Sequence, residues 1–92
     1  MSSTRPARSI DAALRRKGFA RSVDSDHVVY RFFSPAGELL TRTKMSHGMR
    51  ETLSVNLMSL MARQLRLTKS QFLNLIDCTM DENGYRDILN NQ

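Results

Sequence analysis

Residues 24–33, Asp24-Ser25-Asp26-His27-Val28-Val29-Tyr30-Arg31-Phe32-Phe33, decide how this chain folds. Three polar residues suited to a turn run into seven that are mostly β-branched or aromatic, which predicts a strand opening at His27. Gly18–Val23 upstream and Glu38–Met45 downstream have the same character. The segment Ser34-Pro35-Ala36-Gly37 between the second and third is turn chemistry, so the three strands form an antiparallel meander.

Helical spacing flanks the meander on both sides. Ser9 stands as an N-cap before Ile10, Ala13 and Leu14, with Gly18 as the stop, which predicts a first helix over about residues 10–17. Leu53, Leu57, Leu60, Met61 and Leu65 recur at three and four residues and predict a second helix over about 51–65. Thr68 with Gln71, and Thr79 with Glu82, are capping-box spacings that open two further short helices. The expected fold class is therefore α+β, with an α-β-β-β-α core over residues 9–67. The C-terminal extension, residues 68–92, is expected to pack on that core as helices, and the basic leader, residues 1–8, to be disordered.

Register fixes what the sheet shows to the outside, because a slip of one residue exchanges its faces. Pairing Val28, Tyr30 and Phe32 with Met45, Thr43 and Thr41 leaves one face without charge. The other face then carries His27, Arg31, Arg42 and Lys44, with Val29, Phe33 and Leu40 between them. This register segregates charge; the alternative puts charge on both faces. The uncharged face is expected to meet the helices and the basic face to look outward.

With 92 residues, 40% of them apolar and 25% charged, the chain has the size and composition of one ordinary domain. Neither a long apolar span nor a signal-like leader is present, and the expectation is a soluble, cytoplasmic protein. Cys78 is the only cysteine, which precludes an internal disulfide and gives no zinc-ligand spacing; it reads as a small packed side chain. Residues 1–72 carry a net charge of +8 and residues 73–92 a net charge of −3. A basic body suits a polyanion, and nucleic acid suits it better than a membrane because no basic amphipathic helix with large apolar anchors accompanies it.

Several short motifs then coincide. Lys17-Gly18-Phe19 closes the first helix, His27 opens the second strand within Ser25-Asp26-His27-Val28-Val29-Tyr30-Arg31, and His47 follows the third strand within Lys44-Met45-Ser46-His47-Gly48. Over residues 9–65 this order resembles the HicA toxin family. The resemblance implies a double-stranded-RNA-binding-domain-like fold and an endoribonuclease that cuts messenger RNA until a HicB-like antitoxin protein binds it. It also implies that His27 is catalytic. Ser25-Asp26 stands where the family has Gly-Ser, and Ser46 precedes His47 where the family has a Pro-x-His arrangement, so both departures fall at the site.

The chemistry implied needs neither metal nor cofactor. A base removes the 2′-hydroxyl proton, the oxygen attacks the adjacent phosphate, and an acid protonates the leaving 5′-oxygen. Histidine titrates in the range that suits either role, and the chain has only His27 and His47. Arg31, Arg42 and Lys44 are the RNA-binding candidates beside His27. The competing readings are a non-catalytic RNA- or protein-binding module on the same fold, His27 as an ion-paired turn residue, and His47 as a cap for the second helix. Arg15, Arg16 and Lys17 read as solvated or dipole-compensating charges.

Overall fold

The computed structural model describes residues 4–46, 51–77 and 79–92. Helix α1 spans Ala7–Arg16, strands β1, β2 and β3 span Ala20–Val23, His27–Phe33 and Leu39–Ser46, and helices α2, α3 and α4 span Val55–Gln64, Lys69–Ile76 and Glu82–Asn90. The strands form one antiparallel sheet in the order β1-β2-β3. The protein is an α+β fold.

The register is the charge-segregating one. Val28 faces Met45, Tyr30 faces Thr43 and Phe32 faces Thr41, and all six are buried. Beyond Phe32 the ladder shifts, so that Phe33 faces Leu39. The turn itself closes tightly: Gly37, at φ +89°, donates its N–H to the Ser34 carbonyl (2.9 Å), while Ser34 donates to the Glu38 carbonyl (2.8 Å). The extra residue is Leu40, which stands between the Phe33–Leu39 and Phe32–Thr41 pairs and makes a bulge in β3. Leu39 is consequently the exposed residue, and Leu40, expected on the outer face, packs against the core.

Four helices supply the other half of one hydrophobic cluster: Ile10 and Leu14 from α1, Met58 and Met61 from α2, Phe72 and Leu75 from α3, and Tyr85 from α4. Phe19, Phe32 and Tyr85 make an aromatic triangle with ring centroids 4.8–5.6 Å apart. Arg86 caps it, its guanidinium 4.4 Å from the Phe32 ring centre and its Nη1 donating to the Phe33 carbonyl at 3.0 Å. The Tyr85 hydroxyl, buried with its ring, donates to the Leu65 carbonyl (2.9 Å) and accepts from Thr41 Oγ1 (2.7 Å). Burial pushes its pKa up to about 12.

Several boundaries differ from the expected ones. α1 begins at Ala7, with Pro6 extended at the N-cap position and making no side-chain cap, and Ser9 lies inside the helix. Residues 5–7 of the leader, expected to be disordered, are held by three contacts. Arg5 forks onto Asp77 (2.7 and 2.9 Å), Ala7 N–H donates to the Glu51 carbonyl (2.7 Å), and Leu53 N–H donates to the Arg5 carbonyl (3.1 Å). Residues 51–53 are thereby drawn into an extended bridge, so α2 starts only after Ser54, whose hydroxyl accepts from Leu57 N–H. Thr68 and Gln71 form the expected capping box. Asp81, two residues past Thr79, caps α4 by accepting from Gly84 N–H, while Thr79 donates to the Asn74 carbonyl. Lys17 is no solvated charge either: it is 7% exposed, with Nζ on the Met80 carbonyl (2.7 Å).

Two stability predictions follow from the packing. Phe72, Leu75, Ile76 and Tyr85 are all buried, and each contributes about 1.5–3 kcal/mol, which together is on the order of the whole stability of a small domain. Truncation after Leu67 is expected to abolish the cooperative urea transition seen by circular dichroism. Arg66 sits at φ +62° just past α2, where Leu67 N–H closes back on the Ala62 carbonyl (2.9 Å). This left-handed position favours glycine, so Arg66→Gly is expected to raise stability by about 0.5–1 kcal/mol in the same titration.

Candidate nucleic-acid interface

The helices cover one face of the sheet, and no described helix covers the other. On the open face β2 presents His27, Val29, Arg31 and Phe33, and β3 presents Arg42, Lys44 and Ser46. His27 faces Ser46, Val29 faces Lys44, and Arg31 faces Arg42. Arg42 and Lys44 are exposed, and Arg31 and His27 are half-buried. Arg31 Nη1 reaches diagonally to Ser22 Oγ (2.7 Å) on β1. The apolar stems of such side chains cover neighbouring surface, and Val29 in their midst is only 7% exposed.

The Arg31–Arg42 pair carries a cost. Like charges directly opposite each other across two strands repel and weaken the ladder, and no carboxylate among the described residues pairs with either guanidinium. A bound polyanion would remove that penalty.

His27 stands where β2 begins, positioned by the turn before it: Asp24 N–H donates to the His27 carbonyl (2.8 Å), and the Asp24 carboxylate accepts from Ser25 N–H (2.8 Å). Its imidazole makes no hydrogen bond or ion pair with any described residue. His27 and Lys44 line a common groove of about 210 Å³ at the β3 edge, walled on its far side by Leu57, Leu60 and Gln64 of α2. Gln64 is held in place, its Oε1 accepting from Thr43 Oγ1 at 2.7 Å. His47 and Cys78 lie outside the described residues.

This α2 wall is what sequence reasoning missed. Of the expected core stripe Leu53, Met61 and Leu65 are buried and Leu57 packs at the edge of the core, but the inward face of α2 centres on Met58, Met61, Ala62 and Leu65, and Leu60, on the flank away from it, is 47% exposed. The signal was a second stripe at 57, 60 and 64, one residue round from the first.

Two further charge clusters lie elsewhere. Asp11, 7% exposed, accepts from the Tyr30 hydroxyl and from Arg21 Nε (2.8 Å) and pairs with Arg15 (3.1 Å). Burial, with the Asp11 carboxylate alongside, pushes the Tyr30 hydroxyl pKa well above its ordinary value. The network ties α1 to the sheet and consumes two arginines. A larger groove, about 530 Å³, runs between α1 and the end of α3 past Arg8 and Arg16, and shares no residue with the His27 face. Among the described residues, no three His, Cys, Asp or Glu side chains group to hold a metal ion, and no helix is long and apolar enough to cross a membrane.

The chain matches no protein-family model, no curated protein and no solved structure. The open sheet face tests its own electrostatics directly. Arg42→Glu converts a repulsive cross-strand pair into an attractive one and is expected to stabilise the fold by about 0.2–1 kcal/mol, a difference that urea denaturation at low salt measures and that added salt should shrink.

Proposed function

We infer that this chain is an RNA-binding protein of the HicA-like kind, a toxin component with a double-stranded-RNA-binding-like α-β-β-β-α core, which engages RNA on the open face of its sheet. The observation that carries the reading is the segregation of charge: Arg31, Arg42 and Lys44 share the one face of the sheet that no described helix covers, on a body of net charge +8. The repulsion between Arg31 and Arg42 is tolerated there because phosphate neutralises it. His27 stands on the same face, its ring without a described partner, within the groove that also holds Lys44. Such an imidazole is placed to take a 2′-hydroxyl proton, with Lys44 beside the phosphate to offset charge that develops on its oxygens. Asp26, two residues before Val28 and exposed, adds negative charge where the family has serine, and so tempers phosphate affinity at this point. The natural partner of such a protein is an acidic antitoxin of the HicB-like kind that covers the same face.

Binding and cleavage are tested separately. RNA affinity is expected to fall with salt with a logarithmic slope of about −2, for three cations on a single strand at about 0.7 each. Reversing Arg42 and Lys44 to Glu is expected to weaken binding far more than reversing Arg63 and Arg66; equal losses would remove the sheet face from the reading. Cleavage is assayed in EDTA with wild type and His27→Ala. Loss of 2′,3′-cyclic phosphate products in the variant, with folding and RNA affinity retained, identifies His27 as a catalytic residue. Wild-type protein that binds RNA and never cuts it is a binding module.

A further inference from the structure

The groove beside His27 has a chemistry that the phosphate contacts do not use. Its α2 wall is apolar at Leu57 and Leu60, and Leu60 is among the few large hydrophobic side chains the fold leaves exposed. Met45 contributes further apolar surface from β3. Lys44 stands on the opposite side, and Arg42 lies two residues away on the same face of the same strand, about 7 Å distant. An apolar slot with a cationic rim fits a ligand that is flat and apolar on its faces and anionic on its backbone.

Size narrows the choice. At about 210 Å³ the groove is smaller than the roughly 300–1,000 Å³ that encloses a drug-sized molecule, and it suits a single ring system. Gln64 adds a polar group of fixed orientation, because the bond from the buried Thr43 hydroxyl holds its Oε1 and leaves its Nε2 without a described partner. A side-chain amide held in this way reads a base edge by hydrogen bonding.

We propose that the groove between the β3 edge and α2 receives one unpaired nucleobase of the bound RNA, stacked against Leu57 and Leu60 and met at its edge by Gln64, while Lys44 and Arg42 hold the flanking phosphates. The proposal rests on the RNA-binding reading above and deepens it: the substrate is single-stranded at the contacted nucleotide. A base inside a duplex has its faces covered by its neighbours and cannot enter. The pocket also draws the adjoining ribose toward His27, which lines the same space.

The experiment measures affinity of the full chain for a labelled 12-nucleotide RNA, as a single strand and as a duplex with its complement, with wild type, Leu60→Asn and Gln64→Ala. Leu60→Asn keeps the charge unchanged and alters a side chain already 47% exposed, and thermal melting verifies that the fold is intact. The expected result is a single-strand preference of about tenfold in wild type that Leu60→Asn removes, with duplex affinity unchanged, since covering one face of a base with leucine side chains removes enough apolar surface from water for an effect of this size. Gln64→Ala is expected to reduce the spread of affinities across A, C, G and U homopolymers. Equal binding of the two RNA forms by wild type, or a Leu60→Asn variant indistinguishable from it, overturns the pocket and leaves RNA binding standing. Failure to bind either form overturns the RNA reading itself. A concentration-dependent dimer in sedimentation that Leu60→Asn dissolves assigns the groove to a second copy of the chain and likewise overturns the proposal.

Discussion

The rest of the structure depends on one buried hydroxyl. Tyr85 carries its oxygen into the core, where that polar group would be costly without partners, and finds two: the carbonyl of Leu65 at the end of α2 and the hydroxyl of Thr41 on β3. Both partners are fixed by the fold. The Leu65 carbonyl is free because the helix ends there, and Thr41 faces inward because the register places Phe32 opposite it. Tyr85 thus joins the last helix to the sheet and to the second helix through one atom, while its ring completes the stack with Phe19 and Phe32. A phenylalanine would fill the space and leave the Thr41 hydroxyl and the Leu65 carbonyl without this partner.

With one face of the sheet committed to the helices, the other face inherits the charge. Arg31, Arg42 and Lys44 have no described carboxylate to meet there, whereas Arg15 and Arg21 on the helical side are engaged by Asp11, and Arg5 by Asp77. The protein therefore separates arginines that hold it together from cations that remain available to a ligand. The boundary runs along β3, whose inward residues Thr41, Thr43 and Met45 are buried and whose outward residues Arg42, Lys44 and Ser46 are exposed.

Much of this was legible in the sequence. The limits of β2 followed from the change in composition at His27, and the register followed from the demand that charge fall on one face. The capping box at Thr68 was visible at fixed spacing and formed as read. What escaped were contacts between residues far apart. Ser9 is a good cap by type, but the bridge from Pro6 to Thr52 extends α1 toward its N-terminus and shortens α2 at the same time. Leu40 and Leu60 were misplaced for different reasons: a bulge moved one inward, and the inward face of α2 centres on Met58, Met61 and Ala62, which leaves the other on the flank. The burial of Lys17 depends on the Met80 carbonyl, and no local pattern announces it. At the site, His27, Arg31, Arg42 and Lys44 were readable because strand alternation alone puts them together, whereas the α2 wall needed the tertiary packing of a helix against a strand edge.

The stitching of the first residues has a kinetic meaning. Arg5 binds Asp77 across 72 positions of sequence, and Thr41 meets Tyr85 across 44. Chain segments that close such long loops lose their entropy before the contacts repay it, so topologies rich in distant pairings fold slowly for their size. In this protein the N-terminal segment and α4 are held by such distant contacts. The β2–β3 hairpin, by contrast, pairs residues close in sequence, and it carries His27, Arg31, Arg42 and Lys44. The loops that bring the cationic residues together are therefore short, whereas those that tie down the chain's two ends are long.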